Sequence, residues 1–466
     1  MSVTFRIKAS EAQGRRLDPE YHHALRRTRI RSTYPSAKLL SLSYFRTGGT
    51  PSTAHPEYWN GSIPWVSAKD FKAFRFEDSE DHVTELALAE STTCYVNRPA
   101  VLMVSRSGIL QHTLPVMVTH KPTTINQDIK AFFPDDRVSV DYLGAFFDVF
   151  GSRLLPLVCK SGATVQSLNT EQLMDLSIPL PPLSDQRKIV AELDAAYAAK
   201  RAADEKATKL LASIDDMVLN ELGIAKLPKP DTSLSSRIFT VPAKEVLNDR
   251  FDAHYNQNFF RDLVDLIRED KRCCRLGSVG TFVRGVTYKS EDEAECGHAI
   301  LRANNVSLEE FDLDLSDLVH VSSDLTFSPA QQIKDGDILI CAASGSKEHA
   351  GKVAYVRNAP EDTYIGGFMM VLRTDAGVNP EYVAAYMQSS IFRGLIFRHL
   401  GGTNINNVSL ELLNKLPLIL PDAAMQDGIA SRASSIRAEA RKLKADAIAA
   451  LDAAKRRIEM EIVRER

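Results

Sequence analysis

The chain has 466 residues, of which 44% are hydrophobic and 25% are charged, and its formal net charge is −3. At about 150 residues per domain this length predicts two to four domains, and the balanced composition excludes a largely disordered chain. No apolar run approaches the roughly 20 residues that a membrane span needs, and no apolar signal segment follows the first methionine. We therefore expect a cytoplasmic protein without a membrane partner.

Basic residues are concentrated at the start of the chain. Residues 1–46 hold ten Lys or Arg side chains and three acidic ones. The densest part contains Arg26, Arg27, Arg29 and Arg31, and we predict that these side chains contact nucleic-acid phosphates. The alternative interpretation is a solvated helix face. The six cysteines have no metal-ligand spacing, so we expect free thiols and no bound metal.

The sequence contains two similar halves. Shifting it by 240 positions places Gly162–Val190 on Gly402–Ala430 without a gap. Identical pairs then include Leu173 with Leu413, Leu176 with Leu416, Pro181 with Pro421 and Gln186 with Gln426. A shift of 237 pairs Gly48 with Gly285. Because loops tolerate small insertions, this drift favours two diverged copies of one module over two unrelated domains.

Each copy begins with short runs of β-forming residues separated by Gly, Pro and Asn clusters. The runs are Ile63–Val66, Ala100–Val104 and Ile129–Phe133, and then Ala299–Leu301, Asp337–Cys341 and Phe368–Leu372. This pattern predicts an α+β domain with a twisted, mostly antiparallel sheet.

A long helix with a heptad pattern closes each copy. The predicted apolar seam includes Ile189, Leu193, Ala196, Leu210 and Ile214 in the first helix, and Ile429, Ile436 and Leu443 in the second. A narrow seam on an otherwise charged helix is typical of a coiled coil, so we predict that the two helices form an antiparallel intramolecular coiled coil. Two core helices of separate domains are the alternative.

Signatures of common enzyme classes are missing. The sequence has no Walker A loop, no G-x-G-x-x-G after a strand and no H-E-x-x-H. The Asn/Asp-Pro-Pro-aromatic loop of adenine methyltransferases is also absent, since Asp18-Pro19-Glu20 and Asn379-Pro380-Glu381 lack the second proline. We therefore predict a chain without an active site of its own.

Several motifs in order carry a family resemblance. Gly48-Gly49-Thr50-Pro51-Ser52 precedes a segment that runs from Glu57 to Val66, and Asn126-Gln127-Asp128 and Ile178-Pro179-Leu180-Pro181-Pro182-Leu183 follow. Together with the duplicated plan, these motifs resemble the specificity subunit of type I restriction–modification enzymes over almost the whole chain. The second copy departs more, with Leu420-Pro421-Asp422-Ala423 in place of the Pro-Pro-Leu segment.

The resemblance implies a non-catalytic DNA-recognition subunit with two tandem α+β target-recognition domains. We place these domains at 1–178 and 241–416, the helices at 179–223 and 417–466, and a linker at 224–240. Such a chain binds double-stranded DNA, two modification subunits and restriction subunits. It binds no cofactor itself; S-adenosylmethionine belongs to the modification subunit, and ATP with Mg to the restriction subunit.

Polar side chains at loop tips beside strands are the candidates for base recognition. We select Ser67, Lys69 and Arg106 in the first copy, and Arg302, Asn304, Asn305 and Lys347 in the second. Ordinary solvated loop residues are the alternative for each. Trp59 and Trp65 fit a buried core better than stacking on a base.

Two other classes of protein stay open at this point. One is a single-chain DNA methyltransferase or nuclease whose motifs have diverged. The other is a coiled-coil adaptor that binds proteins and no DNA.

Overall fold

The computed structural model describes residues 30–160, 165–228, 231, 233–246, 250–307, 310–400 and 406–463. The chain forms two compact units: unit 1 consists of Met1–Ala203 with Ala445–Arg466, and unit 2 of Asp204–Lys444. Unit 1 contains the sheets of module 1 (residues 30–182), and unit 2 those of module 2 (residues 250–422).

The helices and strands alternate irregularly along the chain. The helices are α1 (Leu39–Leu42), α2 (Glu85–Glu90), α3 (Val140–Val158), α4 (Thr170–Met174), α5 (Leu183–Leu222), α6 (Ala243–Val246), α7 (Asn258–Arg268), α8 (Pro380–Gln388), α9 (Ser390–His399), α10 (Leu410–Lys415) and α11 (Ala423–Ile462). The strands of module 1 are β1 (Ser36–Lys38), β2 (Ser43–Thr47), β3 (Trp59–Val66), β4 (Asp81–Val83), β5 (Cys94–Val96), β6 (Ala100–Val104), β7 (Val116–Thr119), β8 (Thr123–Ile125), β9 (Ile129–Pro134), β10 (Cys159–Lys160), β11 (Ser167–Leu168) and β12 (Ser177–Pro179). Those of module 2 are β13 (Cys273–Arg275), β14 (Gly280–Arg284), β15 (Glu293–Ala294), β16 (His298–Leu301), β17 (Val319–Val321), β18 (Ile338–Cys341), β19 (Ala343–Ser344), β20 (Val353–Tyr355), β21 (Thr363–Ile365), β22 (Met369–Thr374), β23 (Asn406–Asn407) and β24 (Pro417–Ile419).

Module 1 contains two four-stranded sheets. The main sheet has the order β2-β9-β6-β7 with antiparallel neighbours, and the second sheet has the order β4-β3-β8-β5. In the second sheet β3 and β8 run parallel, with Val66 opposite Ile125. The predicted α+β class with mostly antiparallel strands is confirmed.

Module 2 has the same plan. Its main sheet has the order β14-β22-β18-β20, and its second sheet the order β15-β17-β16-β21. Here β16 and β21 are the parallel pair, with Leu301 opposite Ile365. The modules differ at the margin of the second sheet, where module 1 adds β5 beside β8 and module 2 adds β15 beside β17.

The main sheet of module 1 is covered on both faces. All five residues of β6 are buried. Since successive side chains of a strand point to opposite faces, Val101 and Met103 pack with Phe146 of α3, whereas Leu102 packs with Val66 of the second sheet. The uninterrupted apolar sequence of this strand follows from its position between two layers.

A buried glutamine joins each long helix to its module. In the first turn of α5, Gln186 accepts a hydrogen bond from the Ser139 N–H (2.9 Å) and donates one to the Pro181 carbonyl (3.0 Å). In α11, Gln426 accepts from the Asn379 N–H at 2.9 Å. Ser139 and Asn379 are the N-cap residues of α3 and α8, so each glutamine positions the start of a core helix.

The structure begins α5 at Leu183 and α11 at Ala423, and both helices have 40 residues. Of the predicted seam, the buried side chains are Ile189, Leu193, Ile214 and Ile429, and the half-buried ones are Ala196, Leu210, Ile436 and Leu443. Towards its end the buried side chains of α5 are Ile214, Val218, Leu219 and Leu222. This set is wider than the predicted heptad seam, because these side chains also pack into the core of module 2.

Within each unit, segments of the two long helices run antiparallel. In unit 1, Glu192 pairs with Arg457 at 2.8 Å, and the Lys455 ammonium lies 5.3 Å from the centre of the Tyr197 ring. In unit 2, Glu221 pairs with Arg432, and Leu211 and Ala440 line the same small cavity. The residue numbers rise along one helix as they fall along the other, in agreement with the predicted orientation.

Two side-chain truncations on α5 should lower the free energy of unfolding by different amounts, because the two side chains differ in burial. We expect Ile214→Ala to destabilise unit 2 by about 2–5 kcal/mol because it leaves a cavity in a closed core. Leu210→Ala should cost about 1 kcal/mol or less, since Leu210 is half-exposed. Thermal unfolding of both variants measures the difference, and equal melting temperatures would contradict it.

Candidate nucleic-acid interface

Four loops of module 1 meet at one edge of its sheets, here called loop edge 1 (residues 48–53, 67–70, 105–109 and 126–128). These loops follow β2, β3, β6 and β8, whose carboxyl ends lie at the same edge. Backbone hydrogen bonds join them, from Asn126 N–H to the Val66 carbonyl (3.1 Å) and from Ser105 N–H to the Asp128 carbonyl (2.7 Å). A Cβ atom on Gly48 would clash with the Ile125 carbonyl, so this close approach requires glycine.

Module 2 forms a matching edge, loop edge 2 (residues 285–289, 302–305, 342–349 and 366–368). The Gly366 N–H donates to the Leu301 carbonyl at 2.8 Å, and the Ala342 N–H donates to the Phe368 carbonyl at 2.8 Å. Gly285 lies against the Gly366 carbonyl as Gly48 lies against Ile125, again without room for a Cβ atom. The structure therefore places the aligned glycines at the same point of each module.

All the residues predicted for base recognition lie on these two edges, namely Ser67, Lys69, Arg106, Arg302, Asn304, Asn305 and Lys347. Ser67 and Arg302 each follow directly after the strand that carries the parallel pairing. Lys69 and Asn304 occupy the same place in the short helical turn that comes next. Two of the pairs, Ser67 with Arg302 and Lys69 with Asn304, therefore lie at corresponding positions of the two modules.

The short helical turns are held by buried polar side chains. In module 1 the Asp70 carboxylate accepts from the Ser67 N–H (2.8 Å) and from its hydroxyl (3.0 Å). In module 2 the Asn305 amide accepts from the Arg302 N–H (2.8 Å) and donates to the Asp314 and Asp317 carbonyls. Asn305 is 1% exposed, so its side chain supports the turn, and its role as a base reader stays an untested prediction.

Lys69 and Asn304, one residue before Asp70 and Asn305, are exposed and lie beside carboxylates. The Lys69 ammonium pairs with Asp81 at 2.9 Å and with Glu80 at 3.1 Å, and these carboxylates raise the pKa of Lys69. The Asn304 amide donates to Asp317 at 2.7 Å.

Arg106 and Lys347 lie on the loops that follow β6 and β18. Arg106 is 57% exposed and donates through Nε to Asp128 at 2.7 Å, which orients the guanidinium. Lys347 is exposed and, within the part of the chain that the structure describes, makes no hydrogen bond or ion pair. An oriented guanidinium matches the two acceptors of guanine in the major groove, and a free ammonium suits a phosphate.

Two exposed residues of the loop edges were not predicted. Gln127 receives a hydrogen bond from the Thr50 hydroxyl at 2.6 Å and projects from the Asn126–Asp128 turn. Phe368, at the position that corresponds to Asp128 under the offset of 240, is 73% exposed. The preceding pair Gly366-Gly367 was the available signal, because two glycines before an aromatic residue favour a tight turn rather than a strand.

The tryptophans lie inside module 1. Trp65 is buried and donates through its indole nitrogen to the Gly49 carbonyl at 3.2 Å. Trp59 is half-buried with its ring edge against Trp65, the ring centroids 5.1 Å apart. Trp65 contacts the loop that contains Gly49, and Trp59 packs against Trp65. These contacts agree with the interpretation of both tryptophans as core residues.

Three of the predicted phosphate contacts, Arg26, Arg27 and Arg29, lie outside the described residues. Arg31 is described and is exposed. In the described ranges no group of three or more His, Cys, Asp or Glu side chains is arranged to hold a metal ion. None of the helices that the structure describes is both long and apolar enough to cross a bilayer.

Comparison with known proteins finds similarity mainly in the first part of the chain. Residues 35–209 match the family model described as the type I restriction modification DNA specificity domain. The EcoR124I/EcoR124II specificity subunit of Escherichia coli is 38% identical over 148 residues, which cover 32% of this chain and 37% of the relative. The StySPI specificity subunit of Salmonella potsdam is 34% identical over 174 residues, covering 36% of this chain and 37% of the relative. The matched stretches thus span little more than a third of these relatives.

A solved structure also resembles most of the chain. The S subunit of a type I restriction-modification system from M. genitalium is 12% identical and has a TM-score of 0.41, covering 93% of this chain and 97% of that subunit.

Proposed function

We propose that the protein is a DNA-recognition subunit of a type I restriction–modification complex, because residues 35–209 match the family model of the type I restriction modification DNA specificity domain. This match carries the proposal. It covers the sheets of module 1 and continues into α5, so it includes loop edge 1 and the start of the connecting helix.

Loop edge 1 supports this function chemically. It presents Thr50, Lys69, Arg106 and Gln127 as exposed polar side chains on loops that two covered sheets hold in place. Arginine and lysine pair with guanine and glutamine with adenine in the major groove, so such an edge can distinguish base pairs. Loop edge 2 has the same framework with different side chains, which is what a reader of a different sequence requires.

The proposal includes a division of the target into two parts. The two modules arose by internal duplication, and each binds one half of a bipartite double-stranded DNA site. The long helices form a coiled coil whose length, at 1.5 Å per residue, determines the separation of the half-sites. The protein acts in the cytoplasm, where the DNA is.

The catalytic chemistry belongs to partner subunits in this proposal. Two modification subunits bind the chain and supply S-adenosylmethionine and adenine methylation. Restriction subunits supply ATP- and Mg-dependent cleavage. This chain binds none of these cofactors and acts by positioning the partners on the DNA.

Coexpression tests the proposed function. Cells that contain the modification subunit, with and without this gene, are compared by sequencing of methylated adenines, and we expect a bipartite methylated motif only when the gene is present. Purified complex should bind that motif selectively, with an affinity that falls as salt rises.

Two results would contradict the proposal. Methylation or cleavage by the purified chain alone would identify a single-chain enzyme. A complex that assembles but shows no sequence-selective DNA binding would identify a protein adaptor.

The exposed alanines of α5 predict the docking side of the modification subunit. Ala195, Ala198, Ala199 and Ala202 are exposed, and short side chains allow a partner helix to approach closely. We expect Ala199→Glu to weaken binding of the modification subunit at least tenfold while the melting temperature stays within about 1 °C of wild type, as for other exposed substitutions.

Thr208→Glu is the matched control. Thr208 is also exposed and lies nine residues further along α5, about half a turn around the helix axis. Pull-down assays and thermal melting compare both variants. Retained methylation and partner binding in Ala199→Glu would place the docking side elsewhere.

A further inference from the structure

One point of the loop edges has the same backbone structure in both modules and different side chains. In module 1 the Ser105 N–H donates to the Asp128 carbonyl at 2.7 Å, and in module 2 the Ala342 N–H donates to the Phe368 carbonyl at 2.8 Å. Both hydrogen bonds directly follow the last residue pair between the two central strands of the main sheet, β6 with β9 and β18 with β22. Asp128 and Phe368 therefore occupy equivalent positions, as the offset of 240 also indicates.

The residue that follows Ser105 and Ala342 is equivalent in the two modules as well. Arg106 forms an antiparallel bridge with Ser167, and Ala343 forms an antiparallel pair with Asn407. Ser167 and Asn407 are again related by the offset of 240. The arginine and aspartate of module 1 thus correspond to an alanine and a phenylalanine in module 2.

In module 1 this point of the edge is charged. The Asp128 carboxylate accepts a hydrogen bond from Nε of Arg106 at 2.7 Å, and this bond fixes the plane of the exposed guanidinium. A guanidinium in a fixed orientation matches the O6 and N7 acceptors of guanine in the major groove.

In module 2 the same point is apolar. The Phe368 side chain is 73% exposed, although its backbone is held in place. Its carbonyl accepts from the N–H groups of Ala342 and Ala343, at 2.8 and 3.3 Å, and the turn is closed by a bond from the Met369 N–H to the Gly366 carbonyl at 2.8 Å. The turn therefore presents a phenyl ring to solvent from a fixed support, beside the other exposed side chains of loop edge 2.

We propose that Phe368 determines one base pair of the half-site of module 2 by contacting the C5 methyl group of a thymine, at the point equivalent to that at which module 1 presents Arg106. This inference rests on the proposed function. Thymine is the base that carries a methyl group in the major groove, and phenylalanine and alanine are side chains that contact it. A G·C pair offers the ring no methyl group, and its polar groups would lose water without gaining a hydrogen bond.

Uracil substitution tests the contact, because uracil differs from thymine only by the missing C5 methyl group. The complex of this chain with its modification subunits is titrated with duplexes that carry its methylated motif. Each thymine of the half-site that changes on exchange of residues 243–422 is replaced by uracil in turn. We expect one of these replacements to weaken binding about three- to fivefold, as for the loss of one buried methyl group.

Two variants show whether Phe368 makes this contact. Phe368→Ala should weaken binding of the thymine duplex at least threefold and remove the difference between thymine and uracil at that position. Phe251→Ala is the matched control, because Phe251 is 74% exposed and lies outside loop edge 2, and it should keep the difference. Both variants should melt within about 1 °C of the wild type. Selective binding by the wild type without any uracil effect, or an equal uracil effect in Phe368→Ala, would overturn the inference and leave the proposed function intact.

Exchange of the residue pair gives an independent readout. The double variant Ala343→Arg with Phe368→Asp restores the side chains of module 1, so the A·T pair at this position of the methylated motif should become a G·C pair. Sequencing of methylated adenines measures the change. An active double variant that retains the A·T pair would overturn the inference, whereas a wild-type complex without sequence-selective binding would contradict the proposed function as well.

Discussion

Replacing residues 1–182 by the corresponding residues of a relative with a different DNA target should change one half of the methylated sequence and leave the other half unchanged. The replaced segment contains every strand of module 1 and all of loop edge 1, and it ends just before α5 begins. The new module therefore brings its own complete set of the loops that we propose to contact the bases.

We expect only one half of the methylated sequence to change because each module has its own hydrophobic core. The two sheets of module 1 close over apolar clusters drawn from unit 1, and those of module 2 over clusters drawn from unit 2. Because each set of loops is supported by its own core, a change in module 1 should leave the geometry of loop edge 2 intact.

Sequencing of methylated adenines in cells that carry the hybrid chain and the modification subunit measures the outcome. The hybrid that replaces residues 243–422 is the matched control, and it should change the opposite half. A folded hybrid that alters both halves of the motif would refute independent recognition.

Substitution of the buried glutamine at the start of α5 should cause a large loss of stability. Gln186 is fully buried, and besides its bonds to Ser139 and Pro181 it donates to the Arg137 carbonyl at 3.1 Å. Gln186→Ala removes the shared hydrogen-bond partner of three backbone groups, of which the Pro181 carbonyl is buried and the other two are partly buried. At about 1–3 kcal/mol for each unmatched group, we expect unit 1 to lose about 3 kcal/mol or more.

Denaturation of three variants tests this expectation. Gln426→Ala should produce a similar loss in unit 2, because Gln426 bonds to the Asn379 N–H and to the Pro421 carbonyl (2.8 Å). Gln127→Ala, at an exposed glutamine, should change stability by no more than about 0.5 kcal/mol. If Gln186→Ala has the same free energy of unfolding as Gln127→Ala, the buried Gln186 has no structural role.

Local patterns predicted a large part of the architecture. The offset of 240 aligned Gln186 with Gln426, and the structure gives both the same hydrogen bonds to a helix N-cap. Selection of polar residues beside strands also placed Ser67 and Arg302 on corresponding loops. The structure places these residues at corresponding points of the two modules because strand ends, glycine turns and helical periodicity leave signals within a few residues of one another.

Local sequence patterns could not predict contacts between segments that are far apart in the chain. Arg75 donates to Asp141 of α3 and, at 2.7 and 2.9 Å, to Asp194 of α5, yet nothing near Arg75 in the sequence indicates either partner. The burial of Asn305 likewise follows from carbonyl groups at Asp314 and Asp317, on a segment whose path the sequence does not reveal.

The sequence by itself determined the α+β class, the repeated order of elements, the two long helices and the polar character of the loop edges, because these features arise from local composition and period. Only the tertiary structure decided which polar side chains stay exposed, where the buried stripe of α5 departs from the predicted heptad, and that Arg437 is buried beside Gln388. Burial and pairing depend on how segments far apart in the chain pack together, and a residue's neighbours in sequence do not contain that information.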